Sequence, residues 1–207
     1  MARLNEILVG RYARALQKLF GVKGDVPVAT LAPEIMPVHI VPSGVENRYL
    51  DGWERFGVTI GQVAVAASLG GLQIRNPSTS NVIAVLEKIT WNNNGAAADR
   101  GALFFKPTGA VDLATTSVPT NVNLDTRGRS FSSLTFSQAS PASVAGYGGV
   151  AAAGAGIGGN YDFIFDIDQE LPLLPGSAYL LQSQTVNNAL AVTWLWRERF
   201  LEESERT

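Results

Sequence analysis

The sequence predicts a mainly β protein: an antiparallel, jelly-roll-like β-sandwich, preceded by an amphipathic helix and an extended proline-rich arm. From residue 56 onward, runs of β-branched and aromatic residues alternate with turn-forming residues, without a helical pattern between them. The chain has 21 glycines and 10 prolines among 207 residues, as expected for many turns. Charged residues make up only 16% of it, against about 25% in ordinary soluble domains. A surface with so few charges favours contact with other chains.

Residues 1–24 are predicted to form the helix. Their apolar residues recur at steps of three and four, which places them on one face, and Gly21 ends the pattern. The other face is basic, since five Lys or Arg residues against Glu6 give a net charge of +4. This face could bind nucleic acid or an anionic membrane, but docking of the apolar face on the protein's own domain or a neighbouring subunit is the preferred interpretation. The helix residues expected at an assembly interface are Leu4, Ile7, Leu8, Leu16, Leu19 and Phe20.

Residues 25–50 are predicted to form an extended arm that can reach a neighbouring subunit. Prolines at positions 27, 33, 37 and 42 exclude a helix or a central strand. His39, the single histidine, lies in this arm. Because the chain has no cysteine and no GxSxG motif, His39 is interpreted as a packed or partly exposed residue rather than a catalytic or zinc-binding one. The arm residues expected at the assembly interface are Ile35, Met36, Val38 and Ile40.

Residues 51–200 are predicted to form the sandwich domain, and residues 201–207 a charged C-terminal tail. The predicted strands are 56–67, 72–76, 82–91, 102–106, 130–138, 161–169, 178–184 and 189–200. The stretch 144–159, which is almost wholly glycine and alanine, is predicted to be a long flexible loop. Gly176 is expected to supply a positive φ for a Pro-Gly turn, and Asn187-Asn188 to close a hairpin between the last two strands.

The last predicted strand contains ALAVTWLWRER at 189–199. Trp194 and Trp196 share one face and are expected to point inward, because large rings bury the most area between two sheets. Both faces of this strand and of 82–91 are largely apolar, so the outer face is expected to be covered or to meet a partner. Arg197, Glu198 and Arg199 are expected to mark the point where the strand emerges into water.

Two further motifs have both a chemical and a structural interpretation. GAGIGG at 154–159 matches the dinucleotide-binding GxGxxG, but a strand pattern follows it instead of a helix, so a flexible loop is preferred. The acids Asp162, Asp166, Asp168 and Glu170 share one face of a predicted strand. Such a face suits Ca²⁺, but the apolar residues between the acids suit a core, so the acids are interpreted as the solvated side. No catalytic residue, cofactor or metal ligand is therefore assigned.

The charge and hydropathy of the chain bear on its partners and location. The net charge of −2 gives no electrostatic indication of nucleic-acid binding. The N-terminus does not resemble a secretory signal, because charged residues interrupt its apolar stretch, and no span of about 20 residues is apolar enough for a membrane. We therefore expect synthesis in the cytoplasm and neither a nucleic-acid nor a membrane partner.

Two stretches carry a resemblance to a known group of proteins. GGLQIRNPSTSNVIAVLEKI at 70–89 resembles a strand-turn-strand of tailed-bacteriophage virion proteins, and LPLLPGSAYLLQSQTVNNALAVTWLWRER at 171–199 resembles their ending. LAPEIMPVHIV at 31–41 is similar to the arm that often precedes such domains. The resemblance implies a β-sandwich that is repeated in many copies in a phage particle. The glycine- and alanine-rich stretch is longer here than the resemblance implies.

The function expected from these observations is that of a non-enzymatic virion protein, most simply a capsid decoration or cement protein or an accessory of the portal, neck or tail. Its expected partners are copies of itself, in a homo-oligomer, and other virion proteins. One alternative is a carbohydrate- or receptor-binding module in which Trp53, Trp91 or Tyr147 stacks on sugar rings. Another is a hydrolase with two paired acids, although no pair of carboxylates stands out.

Overall fold

The structure is a computed structural model, and it describes residues 52–117, 122–124, 132–165 and 170–205. The chain divides into two units, Met1–Pro42 and Ser43–Thr207, and every described residue belongs to the second. The predicted helix at 1–24 and arm at 25–50 therefore lie outside the described residues and stay predictions.

The described residues form β-strands almost throughout, with one short 3-10 helix at Glu203–Glu205. The strands are β1 (Glu54–Gln62), β2 (Gly71–Arg75), β3 (Val82–Asn93), β4 (Asp99–Lys106), β5 (Thr115–Ser117), β6 (Val122–Asn123), β7 (Thr135–Ala139), β8 (Gly148–Ala155), β9 (Asn160–Ile164), β10 (Leu171–Leu173), β11 (Ala178–Ser183) and β12 (Leu190–Phe200). The prediction of a mainly β protein is confirmed for this part of the chain.

The strands form two antiparallel sheets. Sheet A has the order β10-β3-β12-β1-β6, and β9 pairs with the same side of β3 as β10 does. Sheet B has the order β5-β7-β2-β11-β4-β8. Every pairing between described strands is antiparallel. The architecture is thus sandwich-like, with neighbouring strands that run in opposite directions.

One hydrophobic core is shared by the two sheets. Trp194 and Trp196 of β12 are fully buried, as predicted. The ring of Trp196 lies 5.8 Å from that of Phe56 in its own sheet and 5.5 Å from that of Phe136 in sheet B. Rings at this separation add about 0.5–1.5 kcal/mol to the area that they bury. The tryptophans of the C-terminal strand therefore join one sheet to the other.

A β-bulge explains why both faces of β3 read as apolar. The register with β12 shifts between Leu195 and Trp196, which leaves Glu87 as an extra residue in β3. Before Glu87 the even-numbered residues are buried, and after it the odd-numbered residues Ile89 and Trp91 are buried. A strict alternation cannot show this change, because one inserted residue exchanges the two faces of the strand.

Two predictions about the C-terminal half are wrong. The stretch 144–159 is not a flexible loop, because Gly148–Ala155 forms β8 and pairs with β4. Its small side chains give no strand pattern in the sequence, yet Ala153 and Ala155 pack on the core. The last two strands are not a hairpin either. Asn187 has the predicted positive φ, 60°, but β11 pairs with β2 and β4 in sheet B while β12 pairs with β1 and β3 in sheet A.

Candidate functional site

The stretches 70–89 and 171–199 meet at Asn76, which follows β2. The buried Asn76 side chain donates hydrogen bonds from Nδ2 to the carbonyls of Val82 and Leu173, both at 2.9 Å. Its backbone N–H donates to the Ser177 carbonyl, and its own carbonyl accepts from the N–H of Gly176. Gly176 has a φ of 85°, as the predicted turn requires. Asn76 therefore ties together the ends of β2, β3, β10 and β11, and we call this contact the Asn76 corner.

An ion pair next to this corner covers the outer face of sheet B. Arg75 contacts Asp112 through two bonds, Nε to Oδ1 at 2.8 Å and Nη2 to Oδ2 at 2.9 Å, and Thr135 donates a further bond to Oδ1. Burial raises the pKa of Asp112, but the hydrogen bonds and the charge of Arg75 outweigh it and hold the pKa below its ordinary value. The bidentate pair fastens the connection after β4 to the sheet.

Four charged side chains meet on the outer face of sheet A. The Glu87 carboxylate contacts Arg55 Nε through Oε2 at 2.6 Å and Arg197 Nε through Oε1 at 2.5 Å. Arg197 also pairs with Glu170. Arg55 and Arg197 stand opposite each other on β1 and β12, so the carboxylate of Glu87 between them offsets the repulsion of two like charges. The bulge residue Glu87 therefore contacts both arginines of this network.

Trp53 lies against the same network. The guanidinium carbons of Arg197 and Arg199 lie 5.5 and 5.2 Å from the centroid of the Trp53 ring, within the range of cation–π contacts. Arg199 in turn forms a bidentate pair with Glu205, at 2.6 and 2.7 Å. Hydrogen bonds from Arg199 and from the Glu202 N–H, with the charge of Arg199, lower the pKa of Glu205 to about 2. Together these residues form what we call the arginine–tryptophan cluster: Trp53, Arg55, Glu87, Glu170, Arg197, Arg199 and Glu205.

The expectation that β12 emerges into water at residue 197 is wrong. The Arg197 side chain is only 8% exposed, and Glu87, Glu170 and Trp53 lie against it. Glu198 is fully buried on the core side, where the Ser132 hydroxyl and the Ser133 N–H donate to its carboxylate. Charged groups can be buried in this way when partners satisfy them. Those partners are distant in sequence, so the run of charges alone does not indicate them.

An aliphatic patch lies beside this cluster, towards the β9 and β10 edge of sheet A. Its members lie on or next to the outer face, three of them exposed (Ile164, Pro172 and Leu174) and two half-buried (Ile83 and Val85). Ile164 is 67% exposed and Leu174 50%. Val85 stands opposite Pro172 on one side and Arg197 on the other, so the patch and the charged network are continuous.

A cleft of about 620 Å³ adjoins the patch. It is lined by Ser78, Ser80, Asn81, Ile83, Leu174, Pro175, Leu201 and Glu205. Ile83 and Leu174 belong to both the cleft and the patch. The cleft therefore extends the partly apolar surface from sheet A to the Asn76 corner.

The acidic run after residue 160 is only partly described. Asp162 lies on the outer face and Phe163 on the core side, as predicted. Asp162 pairs with Lys88 at 2.8 Å and accepts a bond from Thr90, and these hydrogen bonds lower its pKa. Glu170 belongs to the arginine–tryptophan cluster, and Asp166 and Asp168 lie outside the described residues. Within the described ranges no group of three or more His, Cys, Asp or Glu side chains is arranged to hold a metal ion.

The aromatic residues considered for sugar binding do not form one site. Trp91 is fully buried against Gly101 of β4, so it cannot stack on a ligand and that expectation is wrong. Tyr147 covers sheet B, where its hydroxyl accepts a bond from Gln73 and Lys106 lies over its ring. Burial raises the pKa of Tyr147. Trp53 precedes β1, and its ring lies against Arg197 and Arg199 on the outer face of sheet A, so the two partly exposed rings lie over different sheets.

Several predicted features lie away from these sites or outside the described residues. The GxGxxG match at 154–159 covers the last two residues of β8 and the turn before β9, so it is only partly a loop, and a strand follows it, as the sequence pattern predicted. His39 and all ten residues predicted for the assembly interface, Leu4, Ile7, Leu8, Leu16, Leu19, Phe20, Ile35, Met36, Val38 and Ile40, lie outside the described residues. In the described part of the chain, no helix is both long and apolar enough to cross a membrane.

Comparisons of the chain with protein-family models, with curated proteins and with solved structures found no match. The sequence did not reveal the arginine–tryptophan cluster as a unit, although one signal was present: Glu87 follows the apolar run 82–86. The contribution of Arg55 had no comparable signal, because it depends on the register of β1 with β12.

Proposed function

We propose that this chain is a non-enzymatic structural subunit of a tailed-bacteriophage particle, present in many copies and built on a jelly-roll-like sandwich. Its role would be capsid decoration or cementing, or an accessory position on the portal, neck or tail. The observation that carries the proposal is the outer face of sheet A, where the aliphatic patch lies beside the arginine–tryptophan cluster. We propose that a neighbouring subunit of the particle covers this face.

The chemistry of this face suits a protein partner. Apolar area gains about 25 cal/mol per Å² when it leaves water, so the exposed Ile164 and Leu174 favour a covered state. Protein interfaces combine an apolar centre with a polar rim, and tryptophan and arginine are enriched among the residues that dominate their binding energy.

The balance of charges on this face also favours a protein partner. The cluster contains three arginines, at 55, 197 and 199, and three glutamates, at 87, 170 and 205, which pair with one another. These six charges sum to zero. A neutral face of this kind offers no excess positive charge to attract nucleic acid or an anionic membrane.

The phage assignment has separate support, which is the resemblance of residues 70–89 and 171–199. These stretches meet at the Asn76 corner, so they act together in holding one arrangement of strands. The predicted helix and arm would add further contacts between subunits. We therefore propose that the apolar residues at 1–42 also contact neighbouring subunits.

The test is incorporation into particles of the phage that encodes the chain. We expect the double variant Ile164→Asp, Leu174→Asp to fold but to be lost from purified particles, because it places two charges in the patch. The matched control is Val186→Asp, since Val186 is 52% exposed in the connection before β12, outside the patch. Quantitative mass spectrometry of particles gives the copy number, and circular dichroism of the purified variants gives the fold. Incorporation of the double variant at the wild-type level would overturn the role of this face, and absence of the native chain from particles would overturn the phage assignment.

A further inference from the structure

The strand β8 forms a long edge of sheet B. It pairs with β4 on one side, and no other described strand pairs with it. An edge strand directs the N–H and C=O groups of every second residue away from its one neighbour. These groups form a row of donors and acceptors whose natural partner is another β-strand.

β8 lacks most of the features that usually protect such an edge. Native edge strands carry lysine, proline, charged side chains or β-bulges that discourage further pairing. β8 has the sequence GGVAAAGA, and no residue from 130 to 161 is charged. The one irregularity in its pairing lies near Val150, and Ala151–Ala155 pairs with β4 in regular register. Ala152 and Gly154 are exposed. With respect to the strands that the structure describes, the regular part of the edge is therefore unpaired, and it carries no charge.

We propose that β8 pairs antiparallel with β8 of a second copy of this chain, so that sheet B continues from one protomer into the next. This inference deepens the proposed function and rests on it, because it names a contact between copies. Pairing about a two-fold axis is the commonest arrangement of soluble homo-oligomers.

The length and composition of β8 favour a copy of itself over another strand. The remaining edge strands among the described residues are shorter: β5, β6, β9 and β10 have three, two, five and three residues, against eight in β8. A foreign strand gains specificity when alternate side chains enter pockets, and alanine and glycine form no such pockets. A second β8 matches the edge in length and brings no charge that would lose its hydration.

The proline-rich arm of a neighbouring chain fits this edge less well. Proline has no N–H and cannot donate to a ladder. The prolines at 27, 33, 37 and 42 leave runs of five, three and four residues between them, and the eight residues that follow Pro42 in the arm include Glu46 and Arg48. No stretch of the arm therefore offers eight consecutive residues that are free of both proline and charge.

The contact should be weak in dilute solution. A standard interface buries about 800 Å² on each partner, and the edge of a single strand presents less. In a multi-copy particle, other contacts raise the effective concentration of the two edges, so that the β8 strands pair although the contact by itself is weak.

Single cysteines test the geometry, because the chain has no cysteine of its own. Opposed Cα atoms in an antiparallel pair lie about 4.5–5.5 Å apart, a distance that a disulfide can span. We expect oxidative dimers from at least one of Val150→Cys, Ala152→Cys and Gly154→Cys at roughly tenfold the yield of the controls. The controls are Thr115→Cys, at the opposite edge of sheet B, and Ile157→Cys, in the turn after β8. Equal yields from strand and control positions would overturn the proposal.

A charge on the edge tests the energetics. We expect Ala152→Lys to weaken self-association in sedimentation by about tenfold, since the two lysines would approach each other across the axis. Ile157→Lys adds the same charge outside the strand and should associate as the native protein does. Association that is unchanged in Ala152→Lys would overturn β8 pairing. It would leave the proposed function intact if the protein still assembles through another face.

Deletion of residues 1–42 removes the predicted helix and the proline-containing part of the arm, and so distinguishes that part from the second β8. An Ala152→Cys dimer that forms equally well in the intact and the truncated chain supports pairing of two β8 strands. A dimer that forms only after the deletion, with the fold retained, would identify the arm as the occupant of the edge in the intact chain and overturn the inference. A native chain that stays monomeric at every concentration and forms no β8 cross-link within particles would also overturn it, whereas the chain's absence from particles would overturn the proposed function.

Discussion

The strands β12 and β8 represent two opposite ways in which a chain can use a β-strand. β12 is paired along both sides, by β1 and β3, and buries Trp194 and Trp196. β8 is paired by β4 alone, and its largest side chain is the partly exposed Val150. The first strand stabilises the fold mainly through side chains, whereas the second contributes mainly backbone hydrogen bonds. The comparison teaches that the binding capacity left in β8 is on its outer edge, where we propose that another copy binds.

Removal of a β12 tryptophan should have the largest effect on stability. We expect Trp196→Ala to lower the free energy of unfolding by about 3–5 kcal/mol, because it leaves a cavity between Phe56 and Phe136. Chemical denaturation measures this loss. Val63→Ala, at a residue that is 79% exposed, should change it by less than about 0.5 kcal/mol. A similar small loss for both variants would contradict the role of β12 as the strand that joins the two sheets.

On the outer face of sheet A, two arginine variants should lower the free energy of unfolding by smaller and unequal amounts. Arg197→Ala should cost about 2–3 kcal/mol, because it removes a nearly buried cation from Glu87 and Glu170. Arg55 contacts the same Glu87 from the opposite strand, but its side chain is 46% exposed. Arg55→Ala should therefore cost less than about 1 kcal/mol in the same denaturation experiment. Equal losses would show that burial does not distinguish the two arginines.

The end of β12 should respond to pH without much change in stability. Pairing with Arg199 lowers the pKa of Glu205 to about 2 from an ordinary 4.5. Because this pKa is depressed on folding, the stabilisation is fully present above pH 4.5 and is lost as the pH falls towards 2. NMR titration of the Glu205 carboxyl should show the low midpoint, and Arg199→Gln should return it towards 4.5. An ordinary midpoint in the native chain would exclude the ion pair.

The same two strands show how far the sequence predicts the structure. Alternation of large apolar side chains placed Trp194 and Trp196 correctly, because each residue carries its own strong preference for the core. β8 was missed because glycine and alanine have almost no preference for the core, and because its pairing depends on β4, which is distant in the chain. The burial of Arg197 and Glu198 was missed for a related reason: their partners Glu87 and Ser132 come from other segments.

The candidate site was predictable only in fragments. The positive φ of Gly176 and Asn187 followed from local turn chemistry, and the structure has both. The arginine–tryptophan cluster required the bulge at Glu87 and the register of three strands, and no local pattern contains that information. The assembly residues predicted in the helix and arm stay predictions, since they lie outside the described residues.

Hydrogen exchange tests the contrast between β8 and β12 most directly. In dilute protein, β12 amides should be strongly protected, and the amides of β8 that point away from β4 should exchange rapidly. At high concentration, or within particles, we expect the β8 amides to become protected while those of β12 stay as they were. Exchange in β8 that is slow in dilute monomer, or that remains fast in concentrated protein and in particles alike, would contradict the account.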